Sequence, residues 1–142
     1  MTVVPSARQT ASESWGLITR LFFLEGKPRF PAIAAELELS PAQANVLRQL
    51  DEPRPMSELA VTMACDASNV TGIVDRLEER GLAERRPAQN DRRVKLIAAT
   101  AAGQKLRKEL MHRIAIPPEP LTRLSEADQR TLRDILRKAF AQ

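Results

Sequence analysis

The stretch Asp66–Lys95, DASNVTGIVDRLEERGLAERRPAQNDRRVK, decides the fold of this chain. Within it Val70, Ile73, Val74 and Leu77 fall at i, i+3, i+4 and i+7, the spacing of one continuous apolar helix face. Asp66 stands where an N-cap belongs. Gly81 stands where the helix should stop, because glycine accepts the left-handed conformation in which helices often end. With its apolar side committed to a core, this helix turns Ala67, Ser68, Asn69, Thr71, Gly72 and Asp75 outward, with Arg76 beside them. Small side chains that bond hydrogen suit a helix that must enter a major groove. Asn69 can bond adenine in a bidentate way, and Thr71 can offer a methyl to thymine or a hydroxyl to a phosphate. Ser68 suits a phosphate near the helix N-terminus, and Arg76, farther along, suits the nucleic-acid backbone. Gly72 costs a helix about 1 kcal/mol relative to alanine, and a close approach of DNA would account for it. Alone, such a face is as readily an ordinary solvated one.

The residues after the helix change that balance. Two extended segments, Leu82–Arg86 and Val94–Ala99, flank a polar loop from Pro87 to Asp91 and read as a β-hairpin. From Arg80 to Lys95 the basic residues Arg80, Arg85, Arg86, Arg92, Arg93 and Lys95 face only Glu84 and Asp91, so this segment carries a charge equal to the +4 of the whole chain. Localised positive charge is the footprint of phosphate neutralisation. Asp91 and Arg93 lie two apart near the tip, and in an extended segment they point the same way. The carboxylate can then hold the guanidinium in one rotamer, and an arginine at a hairpin tip suits a narrow minor groove. Arg85, Arg86, Arg92 and Lys95 are candidate phosphate contacts. The bland reading of the Asp91–Arg93 pair is a surface ion pair of little energetic value.

Farther out, residues 12–23 place Trp15, Ile18 and Phe22 at helical spacing beside Leu21, with Gly26-Lys27-Pro28 as a stop. A short segment runs from Pro31 to Leu37. Ser40, Pro41 and Gln43 form a capping box that opens a helix with Val46, Leu47 and Leu50 on its buried stripe; Pro53 and Pro55 end it. Ser57 is the expected cap of a short helix bearing Leu59, Ala60 and Met63. Beyond the hairpin, Leu106, Leu110 and Ile114 mark a helix from Thr100 to Ile114. Pro117, Pro118 and Pro120 form a hinge, and Ser125 caps a last helix with Leu132, Ile135, Leu136 and Phe140 on its apolar side. Short helix, tight turn, longer amphipathic helix and basic hairpin, in that order, are the layout of a winged helix-turn-helix.

The chain has 142 residues, 43% hydrophobic and 28% charged, which fits a globular protein. No run of 18 apolar residues is present, so no membrane partner is expected, and Met1–Thr10 lacks the pattern of a secretory signal. The single cysteine, Cys65, precludes an internal disulfide, and a cytoplasmic setting is expected; just before the cap of the long helix, its thiol is either a redox switch or buried and inert. One histidine, His112, far from Cys65, assembles no metal site and no catalytic triad, and the scattered glycines form no phosphate loop. No enzyme activity, metal or cofactor is expected.

The run SELAVTMACDASNVTGIVDRLEERGLAERRPAQNDRRVKLIAATAAG, Ser57 to Gly103, resembles the DNA-binding core of the MarR family of bacterial regulators. The likeness is ungapped from Ser-Glu-Leu-Ala through VDRLEERGLAER to Asp91 and Arg93, and ends on Thr100 and Gly103. It implies a triangular homodimer with intertwined terminal helices, two recognition helices in successive major grooves of double-stranded DNA, and two wings in minor grooves. On that mapping Arg93 enters the groove beside Asp91, and Ser68, Asn69, Thr71 and Arg76 lie on the recognition helix. The resemblance also implies a repressor that releases DNA when a small, often aromatic, effector binds. Ala99 departs from the family, which usually has leucine there.

The expected fold is therefore mainly α with a small β-hairpin wing. Residues 37–99 form the DNA-binding lobe, 100–116 a connecting helix, and 1–36 with 117–142 the dimerisation helices. Trp15, Ile18, Phe22, Leu132, Ile135, Leu136 and Phe140 form apolar faces that are candidates for a dimer interface, the alternative being that both helices fold back onto their own monomer. Two-fold symmetry would then call for a palindromic site with half-sites roughly one helical turn apart. The alternative is a winged helix used as a protein–protein interaction module, for which the arginine-rich wing has no purpose.

Overall fold

A computed structural model describes residues 6–64 and 67–141. Its elements are α1 (Ala7–Leu21), a π turn (Phe22–Gly26), α2 (Lys27–Glu36), α3 (Pro41–Arg48), β1 (Arg54–Pro55), α4 (Met56–Thr62), α5 (Ala67–Glu79), β2 (Ala83–Pro87), β3 (Lys95–Ala99), α6 (Ala101–Ala115), α7 (Glu119–Thr122) and α8 (Glu126–Phe140). The molecule is mostly helical with one small antiparallel sheet, a winged helix. No helix among the described residues is long and apolar enough to cross a membrane.

By internal packing the chain divides into Pro28–Ile114 and a second unit made of the segment through Lys27 and the segment from Ala115. The first unit holds the core. Leu47, Leu50, Leu59, Val70, Val74, Leu77, Ile97 and Leu110 are completely buried there, and Ile33, Ile73, Leu106 and Ile114 pack against them. The apolar stripe read from Val70, Ile73, Val74 and Leu77 thus faces inward. In the second unit no described residue is buried; Trp15, Phe22, Ile135 and Phe140 are mostly exposed.

The local signals explain most element ends. Ser40 and Gln43 form the expected capping box: the Gln43 amide donates to Ser40 Oγ over 3.1 Å, and the Ser40 amide donates to Gln43 Oε1 over 3.0 Å. Gly81 adopts φ +69° after α5. The Leu82 amide then donates to the Leu77 carbonyl and the Gly81 amide to that of Glu78, a Schellman stop. The same arrangement ends α2, where the Leu39 amide reaches the Ala34 carbonyl, yet the left-handed position is held by Glu38 at φ 56°. Arg80 Nη1 donates to the Glu38 carbonyl over 2.6 Å, tying the end of α5 to the end of α2.

Four expectations need correction. Gly26-Lys27-Pro28 does not stop the first helix. The backbone there is a π turn in which the Lys27 amide donates to the Phe22 carbonyl, and α2 follows directly. The wider turn relieves the clash that the Pro28 ring would make with the preceding carbonyls. Ser57 is not a cap: α4 begins at Met56 with Pro55 as its N-cap, because proline is already extended and has no amide to satisfy. The prolines from 117 to 120 open the short α7, with Pro118 as its cap and Pro120 in its first turn, and are not a bare hinge. The hairpin is not alone, since β1 pairs with β3 through Arg54 opposite Ile97, giving the order β1-β3-β2. Pro55 and Pro87 both lie on edge strands, where a missing amide is tolerated. Arg54 anchors β1 by donating to the Gln49 carbonyl and pairing with Asp51 and Glu58; its hydrogen bond holds the Asp51 carboxyl below the ordinary value. Asp66, expected as a cap, and the thiol of Cys65 lie outside the described residues.

Candidate nucleic-acid interface

Helices α4 and α5 form the helix-turn-helix, with α5 as its second helix. Because Val70, Val74 and Leu77 are buried, the opposite face of α5 carries Ser68, Asn69, Thr71, Gly72, Asp75 and Arg76, all exposed. A cleft of about 480 Å³ runs along this face, between Ser68, Asn69, Gly72 and Arg76 on one side and Ser40, Ala42 and Gln43 of α3 on the other. A Cβ added at Gly72 meets nothing within 4 Å, so the fold itself does not require glycine there.

The wing is β2, β3 and the loop between them. Its register sets Arg85 opposite Ile97, Arg86 opposite Leu96 and Pro87 opposite Lys95. The loop is closed by the Ala88 amide donating to the Val94 carbonyl, and the Val94 amide donating to that of Asp91. Asp91 and Arg93 meet, but differently from the sequence expectation. The chain turns at 92 and 93, so the Asp91 carboxylate accepts the backbone amide of Arg93 at 2.9 Å and does not hold its guanidinium. An aspartate capping the amide two residues on is an Asx turn, which fixes the shape of the tip and leaves the arginine side chain free to extend. The side chains of Arg92, Arg93 and Lys95 are exposed and make no hydrogen bond or ion pair among the described residues.

Arg85 and Arg86 are not free in this way. Arg86 pairs with Glu84 on its own strand, both half-exposed. Arg85 is gripped by α5: its guanidinium pairs with Glu78 and reaches Asp75 Oδ1 at 2.7 Å, and its backbone amide donates to Glu78 Oε1 at 3.1 Å. In the sequence Asp75 is marked only as part of an outward face, and nothing local singles out Glu78. Their spacing of three on one helix allows shared work, but the partner on β2 is set by the register.

The base of the wing is joined to the end of α5 by a second contact. Thr100 accepts the Gly103 amide at 3.1 Å, capping α6, and donates its hydroxyl to the Gly81 carbonyl at 2.6 Å. The candidate interface residues thus sit on two elements of one packed unit, fastened at both ends of the recognition helix's second half. The residues Trp15, Ile18, Phe22, Leu132, Ile135, Leu136 and Phe140 belong to the other unit, where a groove of about 620 Å³ runs past Leu121, Leu132, Leu136 and Phe140.

Comparison with known proteins agrees with this geometry. The sequence model of the MarR family matches residues 39–95. YusO from Bacillus subtilis is 30% identical, with 95% of this chain and 97% of that one covered at a TM-score of 0.66. CouR from Rhodococcus jostii RHA1, solved bound to p-coumaroyl-CoA, is 32% identical over 88% of this chain and 93% of its own, with a TM-score of 0.61. A mutant of MepR from S. aureus, solved bound to an oligodeoxyribonucleotide, shares the fold at 20% identity and a TM-score of 0.62, covering 88% and 94% of the two chains. None of the curated proteins compared with the chain matches it.

Proposed function

The chain belongs to the MarR family, whose members are DNA-binding transcription regulators and not enzymes, and on that premise we propose that it is a homodimeric repressor of a palindromic operator. One observation carries the reading: a helix face of small, exposed, hydrogen-bonding side chains lies beside a wing on which the side chains of Arg92, Arg93 and Lys95 have no partner among the described residues. Three cations left unpaired together on one finger imply a polyanion.

In this reading Ser68, Asn69, Thr71, Gly72 and Arg76 enter the major groove. Asn69 reads a base edge, Gly72 lets the backbone close in, and Ser68 and Arg76 bind phosphates. Arg93 enters the minor groove from a tip shaped by Asp91, while Arg92 and Lys95 hold the flanking phosphates. Arg86 joins them by exchanging the exposed Glu84 for a phosphate, since a surface ion pair costs little to give up. The unburied apolar faces of α1 and α8 support self-association through Trp15, Ile18, Phe22, Leu132, Ile135, Leu136 and Phe140. The protein acts in the cytoplasm. The bound acyl-CoA of CouR supports a small aromatic effector here too.

Selection of bound sequences from a random duplex library by the purified chain tests the whole reading. The expected result is an inverted repeat. Recovery of single, asymmetric sites would reject the homodimeric part, and no enrichment at low ionic strength would reject the function.

A further inference from the structure

We propose that Arg85 is a positioning residue, which sets the wing at a fixed angle to the recognition helix through Glu78 and Asp75, and is not a phosphate contact. This deepens the duplex-reading function proposed above and rests on it.

The geometry comes first. Arg85 lies on β2 directly opposite Ile97, which is fully buried, and residues paired across a ladder share a face. The register therefore turns Arg85 toward the core side of the sheet, away from the solvent edge where Arg86 lies. There it meets α5, and the match is unusually complete. Glu78 spends one oxygen on the backbone amide of Arg85 and the other on its guanidinium, so both the strand and its side chain are held by a single carboxylate. The other terminal nitrogen takes Asp75 Oδ1 at 2.7 Å. Only 30% of the Arg85 side chain and 31% of that of Glu78 are exposed, against 52% for Arg86.

Electrostatics gives the clamp its second effect. Asp75 shares the outward side of α5 with Ser68 and Thr71, by the spacing of three and four residues along a helix. A carboxylate there faces the polyanion and repels it. The guanidinium of Arg85 offsets that charge where it stands. A fork whose two terminal nitrogens already hold carboxylates has its charge offset and is poorly placed to take a phosphate as well; lysine could neither span both carboxylates nor lie flat between them.

The consequence appears at the far end of the wing. From Arg85 to the end of β2 at Pro87 is about 7 Å of strand at the usual rise, and the loop carries Arg93 farther out still. Slack at the clamp is therefore magnified at Arg93, which must meet a narrow groove.

The test uses the full chain and a duplex recovered by selection with the wild type. Dissociation constants are measured against salt concentration, with melting curves as the control for folding. Glu78→Gln removes a negative charge near DNA, so charge alone predicts tighter binding. A positioning role instead predicts binding weaker by about five-fold, the size of a modest coupling energy. Arg85→Lys, which keeps the charge, should weaken binding similarly, and Arg93→Ala should cost less in the Glu78→Gln background than alone. If Arg85→Lys binds like the wild type and Glu78→Gln binds equally or more tightly, Arg85 is an ordinary phosphate contact and the inference is overturned. Should Glu78→Gln melt early, Asp75→Asn carries the same comparison. Failure of the duplex-reading function itself would show in the wild type before any variant is made, and would remove this inference with it.

Discussion

The hydroxyl of Thr100 donates to the carbonyl of Gly81, joining the cap of one helix to the stop of another across 2.6 Å. Thr100 opens α6, and Gly81 closes α5. Between them the wing leaves and returns, so both of its roots are fixed to the C-terminal end of the recognition helix. Here the backbone passes very near itself. A Cβ built on Gly103 would lie 1.9 Å from the Leu82 carbonyl oxygen, which also accepts the Thr100 amide.

Gly103→Ala is therefore expected to cost about 3 kcal/mol or more, at the upper end for overpacking, since the obstructing atom is backbone and cannot rotate away. Urea unfolding followed by circular dichroism measures it. A loss below about 1 kcal/mol would mean that this junction has more room than its geometry indicates.

Gly72→Ala should behave in the opposite sense. The added methyl meets nothing in the protein, and alanine favours a helix by about 1 kcal/mol over glycine, so the variant should melt higher than the wild type. Its affinity for a selected duplex should nonetheless fall, because the methyl occupies the space needed by the groove. A variant both more stable and equally tight would show that Gly72 has no part in the interface.

Arg93→Ala should weaken duplex binding several-fold and lower the salt slope by about one counterion, while the dimer stays folded. Asn69→Ala should instead reduce discrimination between selected and random duplexes more than it reduces affinity for random DNA. Gel-shift titrations over a series of salt concentrations separate the two. An unchanged slope for Arg93→Ala would count against the wing tip, and equal losses on both duplexes against base reading by Asn69.

Glu38→Gly should stabilise the protein by roughly 0.5–1 kcal/mol. The left-handed backbone at φ 56° penalises a side chain more than glycine's extra freedom favours the unfolded state. Arg80 still finds its acceptor, since that is the backbone carbonyl of residue 38. Thermal melting decides it, and a destabilised variant would reveal that the Glu38 side chain contributes something its exposed position does not suggest.

The recognition helix and its neighbours were legible because their signals are local and redundant. Val70, Ile73, Val74 and Leu77 mark a face, Gly81 marks its end, and Ser40 with Gln43 announces a start. The features that escaped depend on partners distant in the chain or on very short pieces. β1 is only two residues long and includes a proline, so no alternation exists to detect; it is defined by Ile97 across the sheet. Arg85 reads as one more cation in a basic run until the strand register turns it toward α5. The Asp91–Arg93 pair is visible in the sequence, but its chemistry depends on a turn, and an extended-strand assumption pointed to the wrong donor on Arg93. The π turn before Pro28 illustrates the same limit, since a Gly-Lys-Pro run usually ends a helix and here does not.

The hydrophobic interior closes within Pro28–Ile114, and the outer helices add no buried residue to it. On the proposed function, the portion that would touch nucleic acid carries its own interior. Exchanging the terminal helices for those of a relative is then expected to alter which chains associate and leave the preferred sequence alone. Address and companionship would be separately written in this molecule, each able to drift without erasing the other.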